Sequence, residues 1–377
     1  MKAGIYIHIP FCESRCIYCG FYSTTRLAMA ERYTRAVVKE MDLRRNELHK
    51  ICTDGKCDID SIYIGGGTPS VLPYECICEI LNEARRTFGG GQREITMEMN
   101  PDDVTLQLVE AVKKAGVNRV SMGVQTFNDN RLQFIRRRHN AEQAKEAVAT
   151  LRKSGIDNIS IDLMFGFPDE TIEEWTKDID EAISLRPNHI SAYCLMYEEG
   201  TSLYKMLQKG EVRQIDEESY LAMYSELVRR LVAAGYEHYE ISNFALPGYR
   251  SIHNSSYWHD IPYLGLGASA HSYLLNERSW NVANLTDYVK SIEGGELPSE
   301  HEDIDGNTHY NDLVTTELRT CDGLDLTALD EEHAEYALRS AKKYIDNGLL
   351  EVKGNRLKLT DKGIFVSDMI MSDLIKI

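Results

Sequence analysis

The chain has 377 residues, 43% of them hydrophobic and 27% charged, with a formal net charge of -17. This is the composition of a globular protein large enough for a big barrel and an accessory domain, and it carries no bias toward disorder. The acidic balance excludes a non-specific nucleic-acid binder, because counterion release needs clustered Lys and Arg.

The opening "MKAGIYIHIPF" is too short and too soon interrupted for a signal peptide, and no apolar run reaches membrane-span length. A cytoplasmic protein that is not integral to a membrane is expected. The first predicted strand, "GIYIHI" (4–9), runs directly into Cys12, Cys16 and Cys19. In a reducing compartment disulfides are not expected, so this triplet reads as metal-binding or catalytic. Cys52, Cys57, Cys76, Cys78, Cys194 and Cys321 show no ligand spacing and are expected to be free thiols.

A structural zinc site closes its tetrahedron with four protein ligands. The spacing C-x3-C-x2-C supplies three, Phe21 stands where a nearby fourth would follow Gly20, and His8 lies upstream within the strand. A [4Fe–4S] cube held by three thiolates instead leaves one iron open to an outside ligand. A zinc knuckle or three free thiols are the rival readings.

Five more β-branched runs follow: "SIYIGG" (61–66), "EITMEM" (94–99), "RVSMGV" (119–124), "ISIDLMF" (159–165) and "HISAYCLM" (189–196). Helix-like segments near 27–50, 74–87, 104–115, 140–153 and 170–185 separate them, and another near 217–234 follows the last. Six βα repeats with right-handed crossovers predict a parallel sheet curled into an incomplete (β/α)6 barrel over residues 1–235, an α/β fold whose chemistry sits at the C-terminal strand ends. The polar features fall at that rim. The cysteines follow strand one and "GGGTP" (65–69) follows strand two, while Glu98 and Asn100 mark strand three and Gln125 ends strand four. Strand five carries Asp162, and strand six leads to Tyr197 and Glu198.

Residues 236–304 turn aromatic and Gly-rich, a connecting region that contains "HNSSYW" (253–258) and "GLGASAHS" (265–272). Residues 305–377 read as helices followed by two short strands around "KGN", a helical, winged α+β accessory domain. Acidic residues outnumber basic ones there, which argues against DNA binding.

The cluster spacing resembles the radical S-adenosylmethionine (SAM) superfamily. In that superfamily the open iron chelates SAM, and reductive cleavage gives methionine and a 5′-deoxyadenosyl radical while the protein positions the cofactor. "YIHIPFC", "GGGTPS", "EMNPD", "GVQTF", "IDLMFGFP" and "HISAYCL" resemble, over nearly the whole chain, the oxygen-independent coproporphyrinogen III oxidase family and its HemW-type haem chaperone branch. The resemblance implies that Cys12, Cys16 and Cys19 hold a [4Fe–4S] cluster. It implies further that Tyr6, Tyr18, Gly66, Gly67, Thr68, Glu98, Gln125, Arg137 and Asp162 bind SAM; the Gln125, Arg137 and Asp162 positions contact a second SAM in the oxidase.

Two departures separate the chain from the oxidase. Phe21 stands where the oxidase has a further cysteine, and the cluster motif begins almost at Met1, where the oxidase has an N-terminal extension. "HNSSYW" is similar to the H-N-x-x-Y-W motif of the haem chaperones, which implies haem ligation by His253 with Tyr257 and Trp258 against the macrocycle. His271 replaces an apolar residue of the oxidase. The expected function is therefore a chaperone that binds haem and passes it to apo-haemoproteins such as membrane respiratory enzymes, with an electron donor as a further partner. Coproporphyrinogen III decarboxylation and radical haem degradation are the alternatives.

Overall fold

The computed structural model describes residues 1–51, 57–89 and 91–377. Strands β1 (Lys2–Ile9), β2 (Asp58–Gly66), β3 (Glu94–Met99), β4 (Arg119–Gln125), β5 (Asn158–Phe165) and β6 (His189–Cys194) pair in parallel and in chain order. Helices make the crossovers: α1 (Ala30–Arg44) with short α2 (Glu47–Lys50), α3 (Tyr74–Phe88), α4 (Leu106–Lys114), α5 (Asp129–Phe134) with α6 (Ala141–Lys153), and α7 (Ile172–Ser184). After β6 come α8 (Ser202–Gln208) and α9 (Glu217–Ala233). Helices α6 and α7 start on capping boxes, Asn140 with Gln143 and Thr171 with Glu174, which satisfy free N–H groups at each helix start.

Parallel strands covered by helices on both sides are usually apolar throughout. Here they alternate. Ile5, Ile7, Ile62, Ile64, Ile95, Met97, Val120, Met122, Ile159 and Ile161 are buried in the main apolar core with the helices. The intervening positions are Tyr6, His8, Ser61, Tyr63, Glu94, Thr96, Glu98, Arg119, Ser121, Ser160 and Asp162. Because side chains alternate across a strand, these polar residues share the opposite, inner face. The sheet curls around that face into an incomplete barrel.

The sheet continues beyond six strands on both edges. Strands β7 (Glu237–Glu240) and β8 (Asn243–Ala245) extend it past β6. Beyond β1, β9 (Tyr263–Leu266) adds in parallel, followed antiparallel by β10 (His271–Tyr273), β11 (Glu277–Asn281) and β12 (Ser299–Asp303). The order is β12-β11-β10-β9-β1-β2-β3-β4-β5-β6-β8-β7, so residues 236–304 are woven into the barrel sheet itself. Helix α11 (Leu285–Gly294) packs outside, where the buried Glu40 of α1 accepts hydrogen bonds from Tyr288, Asn281 and the Gly267 amide.

Helix α10 (Ile252–Trp258), which carries "HNSSYW", lies on the inner face. Its His253 touches β2 through Ser61, and Glu94 of β3 accepts from the Ser251 hydroxyl and from the amides of Ile252 and His253. Glu94 opens β3 and Ser61 of β2 is its register partner, so α10 covers the inner face toward the end of the barrel opposite the cysteine loop.

The C-terminal part has its own apolar core, from Tyr310 to Leu374. Helices α12 (Gly306–Glu317), α13 (Glu331–Asp346) and α14 (Ser367–Leu374) surround a small sheet of β13 (Leu324–Asp325), β15 (Arg356–Leu359) and β14 (Leu350–Lys353). The β14–β15 turn runs through Gly354, whose φ of 62° suits glycine. Among the described residues no helix is long and apolar enough to cross a membrane.

Candidate functional site

The three cysteines lie in one loop that leaves the C-terminal end of β1. The loop is tied down at its base: the Cys12 amide donates to Thr24 and the Thr24 amide to Pro10. Cys12 is buried, and the Thr68 hydroxyl lies 3.5 Å from its sulfur. The Cys19 amide reaches Cys16 O at 3.4 Å. Burial holds the Cys12 and Cys19 thiols above their ordinary range, with the neighbouring thiols adding to it. Binding a metal here must therefore expel protons.

Arg137 leans over this loop from the segment after α5. Its guanidinium is 3.7 Å from Cys16 Sγ and donates to Gly123 O, and its Nε is buried without a partner. Gly123 makes room for this, since a Cβ there would meet the Arg137 guanidinium and the Gln125 amide. Gln125 has a φ of 69° beside a register shift between Gly123 and Gln125, and Arg136 has a φ of 60°. Left-handed backbone at two non-glycine residues next to one pocket is a strain that the surrounding fold has to hold in place. Tyr18 is half-buried beside Arg137 and Cys16, and burial raises its phenol.

The glycine triplet at the end of β2 is fixed by the protein's own atoms. A Cβ on Gly65 would strike Tyr63 and Glu98, one on Gly66 would strike His8, and one on Gly67 would strike Phe11 O. The amides of Gly66, Gly67 and Thr68 donate to Glu98, Ile9 O and Phe11 O. With these donors engaged, an incoming ammonium, which needs acceptors, meets the Glu98 carboxylate. Burial raises Glu98 to about 7, offset by hydrogen bonds from Tyr63 and the Gly66 amide. Burial also lifts Asp162, to about 6, against the nearby Arg119; Asp162 accepts from Ser121 at 3.2 Å. Tyr6 donates to or accepts from His8 at 3.0 Å, and His8 Nε2 lies 3.1 Å from Tyr22 O.

Two residues in this arrangement, Arg119 and Arg138, carried no motif signal. Arg119, 1% exposed, is the buried cation among Glu94, Glu98 and Asp162. Arg138 is an ion-paired strut to Glu13, Asp102 and Asp103. The Glu198 carboxylate presses on Gly20 so closely that a Cβ there would overlap it. His253 is fully buried: Nδ1 lies 2.9 Å from Ser61 Oγ, Nε2 lies 2.9 Å from Tyr257 OH, and its ring stacks on Tyr63 at 5.1 Å. As placed, His253 offers iron neither nitrogen, and burial lowers its pKa to about 3.

Among the described residues no set of three His, Cys, Asp or Glu side chains converges on one metal ion. Both nitrogens of His8 are engaged elsewhere. The partnerless Arg137 Nε and the Glu98 carboxylate fit a ligand that carries a carboxylate and an ammonium. Of the other cysteines, Cys76, Cys78, Cys194 and Cys321 are free, Cys57 is disulfide-bonded against expectation, and Cys52 lies outside the described residues.

The Radical SAM superfamily model matches residues 6–182, and the HemN C-terminal domain model matches 304–366. "Heme chaperone HemW" of Bacillus subtilis (strain 168) is 37% identical over 295 residues, 78% of this chain and 76% of that protein. "Heme chaperone HemW" of Mycobacterium tuberculosis (strain ATCC 25618 / H37Rv) is 30% identical over 378 residues, 99% of this chain and 94% of that one. Coproporphyrinogen III oxidase (HemN) from Escherichia coli shares the fold, with a TM-score of 0.84 at 22% identity over 100% of this chain and 90% of that chain. A three-thiol loop at the mouth of an incomplete barrel and two HemW relatives matched over most of their length lead to one conclusion: the chain belongs to the radical SAM superfamily and, within it, to the HemW family.

Proposed function

We propose that this protein is a radical SAM haem chaperone, which binds haem and hands it to apo-haemoproteins. The observation that carries the reading is the cysteine loop: three thiols in one short segment, the Arg137 guanidinium 3.7 Å from Cys16 Sγ, and an exposed Phe21 (71%) where the oxidase has another cysteine. Cys12, Cys16 and Cys19 would hold a [4Fe–4S] cluster. Around it, Tyr6, Tyr18, Gly66, Gly67, Thr68, Glu98, Gln125, Arg137 and Asp162 would hold SAM. Arg137 suits the methionyl carboxylate and Glu98 the ammonium or ribose hydroxyls, each by charge and hydrogen bonding. Once bound, cluster and SAM supply one-electron chemistry at the barrel mouth, while the chain orients them and excludes water.

Membrane-bound respiratory enzymes are the recipients that this reading favours, with a separate electron donor reducing the cluster. The fold shared with a coproporphyrinogen oxidase supports a second reading, decarboxylation of a porphyrinogen propionate. Anaerobic reconstitution followed by haem titration, with and without SAM, tests the first: tight binding and transfer of intact haem to an apo-haemoprotein is expected. Protoporphyrinogen formed from coproporphyrinogen III would establish the second instead, and loss of the Soret band with deoxyadenosine release would indicate haem degradation.

A further inference from the structure

The two ends of the cysteine loop run side by side. Phe11 bridges Thr24 in parallel, the Cys12 amide donates to Thr24 O at 3.0 Å, and the Thr24 amide donates to Pro10 O at 2.6 Å. Side chains alternate along such a pair, so Cys12 and Ser23, each one residue from the bridge, fall on the same face. The segment that carries Ser23 is also pinned. Tyr22 O lies 3.1 Å from His8 Nε2, and the Tyr22 hydroxyl accepts from the Leu285 amide at 2.6 Å.

Ser23 is 9% exposed, and its hydroxyl oxygen is buried with no hydrogen-bond partner among the described residues. A buried hydroxyl left without an acceptor is costly, and folded proteins rarely keep one. The group beside it is the Cys12 thiol, where the Ser23 and Thr68 hydroxyls both oppose the rise in pKa that burial causes. Thr68 reaches that sulfur at 3.5 Å from the glycine turn after β2. The other thiols meet other donors: the Arg137 guanidinium at 3.7 Å from Cys16 Sγ, and the Phe21 amide on Cys19. Cys12 is the deepest of the three, 8% exposed, while Cys16 and Cys19 are half-buried. The sulfur with least access to water is therefore the one that faces two hydroxyls.

We infer that Ser23 is a positioning residue for the iron–sulfur cluster, whose hydroxyl donates to the Cys12 thiolate and, together with Thr68, raises the reduction potential of the cluster. The inference rests on the cluster assignment above. An added electron places more negative charge on the thiolate sulfurs, so a donor aimed at one of them favours the reduced form. The effect is largest where water is excluded, as it is at Cys12.

The test is potentiometric titration of the cluster-reconstituted full chain, with the reduced cluster read by electron paramagnetic resonance, for wild type, Ser23→Ala, Ser23→Thr and Ser14→Ala. Ser23→Ala should keep its iron and cut the ratio of reduced to oxidised cluster about tenfold at the wild-type midpoint, a fall of about 59 mV for a one-electron couple. Ser23→Thr, which restores the hydroxyl, should return the midpoint toward wild type. Ser14→Ala removes an exposed hydroxyl from the same loop and should leave the midpoint unchanged. An unchanged midpoint in Ser23→Ala, an equal fall in Ser14→Ala, or a Ser23→Thr midpoint as low as that of Ser23→Ala would overturn the inference and leave the cluster assignment standing. Loss of iron from Ser23→Ala would make the hydroxyl a condition of assembly instead, and would overturn it too. A wild-type chain that takes up no iron would overturn both.

Discussion

At the residue scale the site is a set of carboxylates held in poor solvation. Glu98 is raised to about 7 by burial, so its neutral form is the one that the fold favours. Its contribution to stability is fully present below the unfolded value of 4.5 and is lost as pH climbs through about 7. Glu98→Gln removes that loss while its amide can still pair with Tyr63 and Gly66. The variant should be more stable than wild type by on the order of 2 kcal/mol at pH 8, and equal to it at pH 4. Thermal melts across that range check this; a wild-type melting curve indifferent to pH would refute it. A second residue-scale prediction concerns the loop. Cys16→Ser removes one thiolate, and the reconstituted variant should lose its brown absorption and its iron while keeping the wild-type melting profile of the apo protein. Full iron content would remove Cys16 as a ligand.

At the element scale the decisive piece is α10, a helix of seven residues sealing the strand starts. Glu94 receives the Ser251 hydroxyl and two amides of that helix, and Arg119 lies within 4.0 Å of it. Glu94→Ala would strand three donors and a buried guanidinium, at a cost of about 3–5 kcal/mol. Ser251→Ala keeps the two amide bonds and forfeits a helix cap, at about 1 kcal/mol. Denaturant unfolding of both variants should reproduce that ranking; equal costs would mean that the carboxylate is not what holds the helix.

Much at this scale was legible. Each β-branched run became a parallel strand, because hydrophobic strands separated by helical crossovers have few other solutions. Strand six stops at Cys194 and not at 196, since the Leu195 amide crosses to Phe165 O and Met196 turns out to solvent. The segment expected as one helix over 27–50 breaks at Arg45 and Asn46. The edge strands β7 to β12 were not legible: they are three to five residues long, and their rows of Tyr, Gly and Ser show no clean alternation. The polar lumen was written plainly in "GIYIHI" and "ISIDLMF", where Tyr6, His8, Ser160 and Asp162 alternate with apolar residues. The partners of Arg119 and His8 stayed hidden because a buried partner is a fact of three dimensions. For the same reason a six-residue motif could bring His253 to notice but could not show Ser61 and Tyr257 beside it.

For the whole molecule, the C-terminal domain is fastened to the far edge of the barrel sheet. Arg319 pairs with buried Glu240 at 2.9 Å and lies over Trp258 at 5.3 Å, and the amides of Ile241 and Cys321 cross between the two parts. Arg319→Ala should speed hydrogen exchange at Ile241 and Cys321 by about tenfold or more and leave β1 to β5 unchanged, because the opening is local. Exchange that rises evenly across the sheet would show instead that the domains unfold as one.

With α10 stoppering one end, the barrel is a vessel with a single neck. A ligand that reached Glu98 or Asp162 would therefore have to approach from the side of the cysteine loop, since the helix on Ser61 and Glu94 bars the other way in.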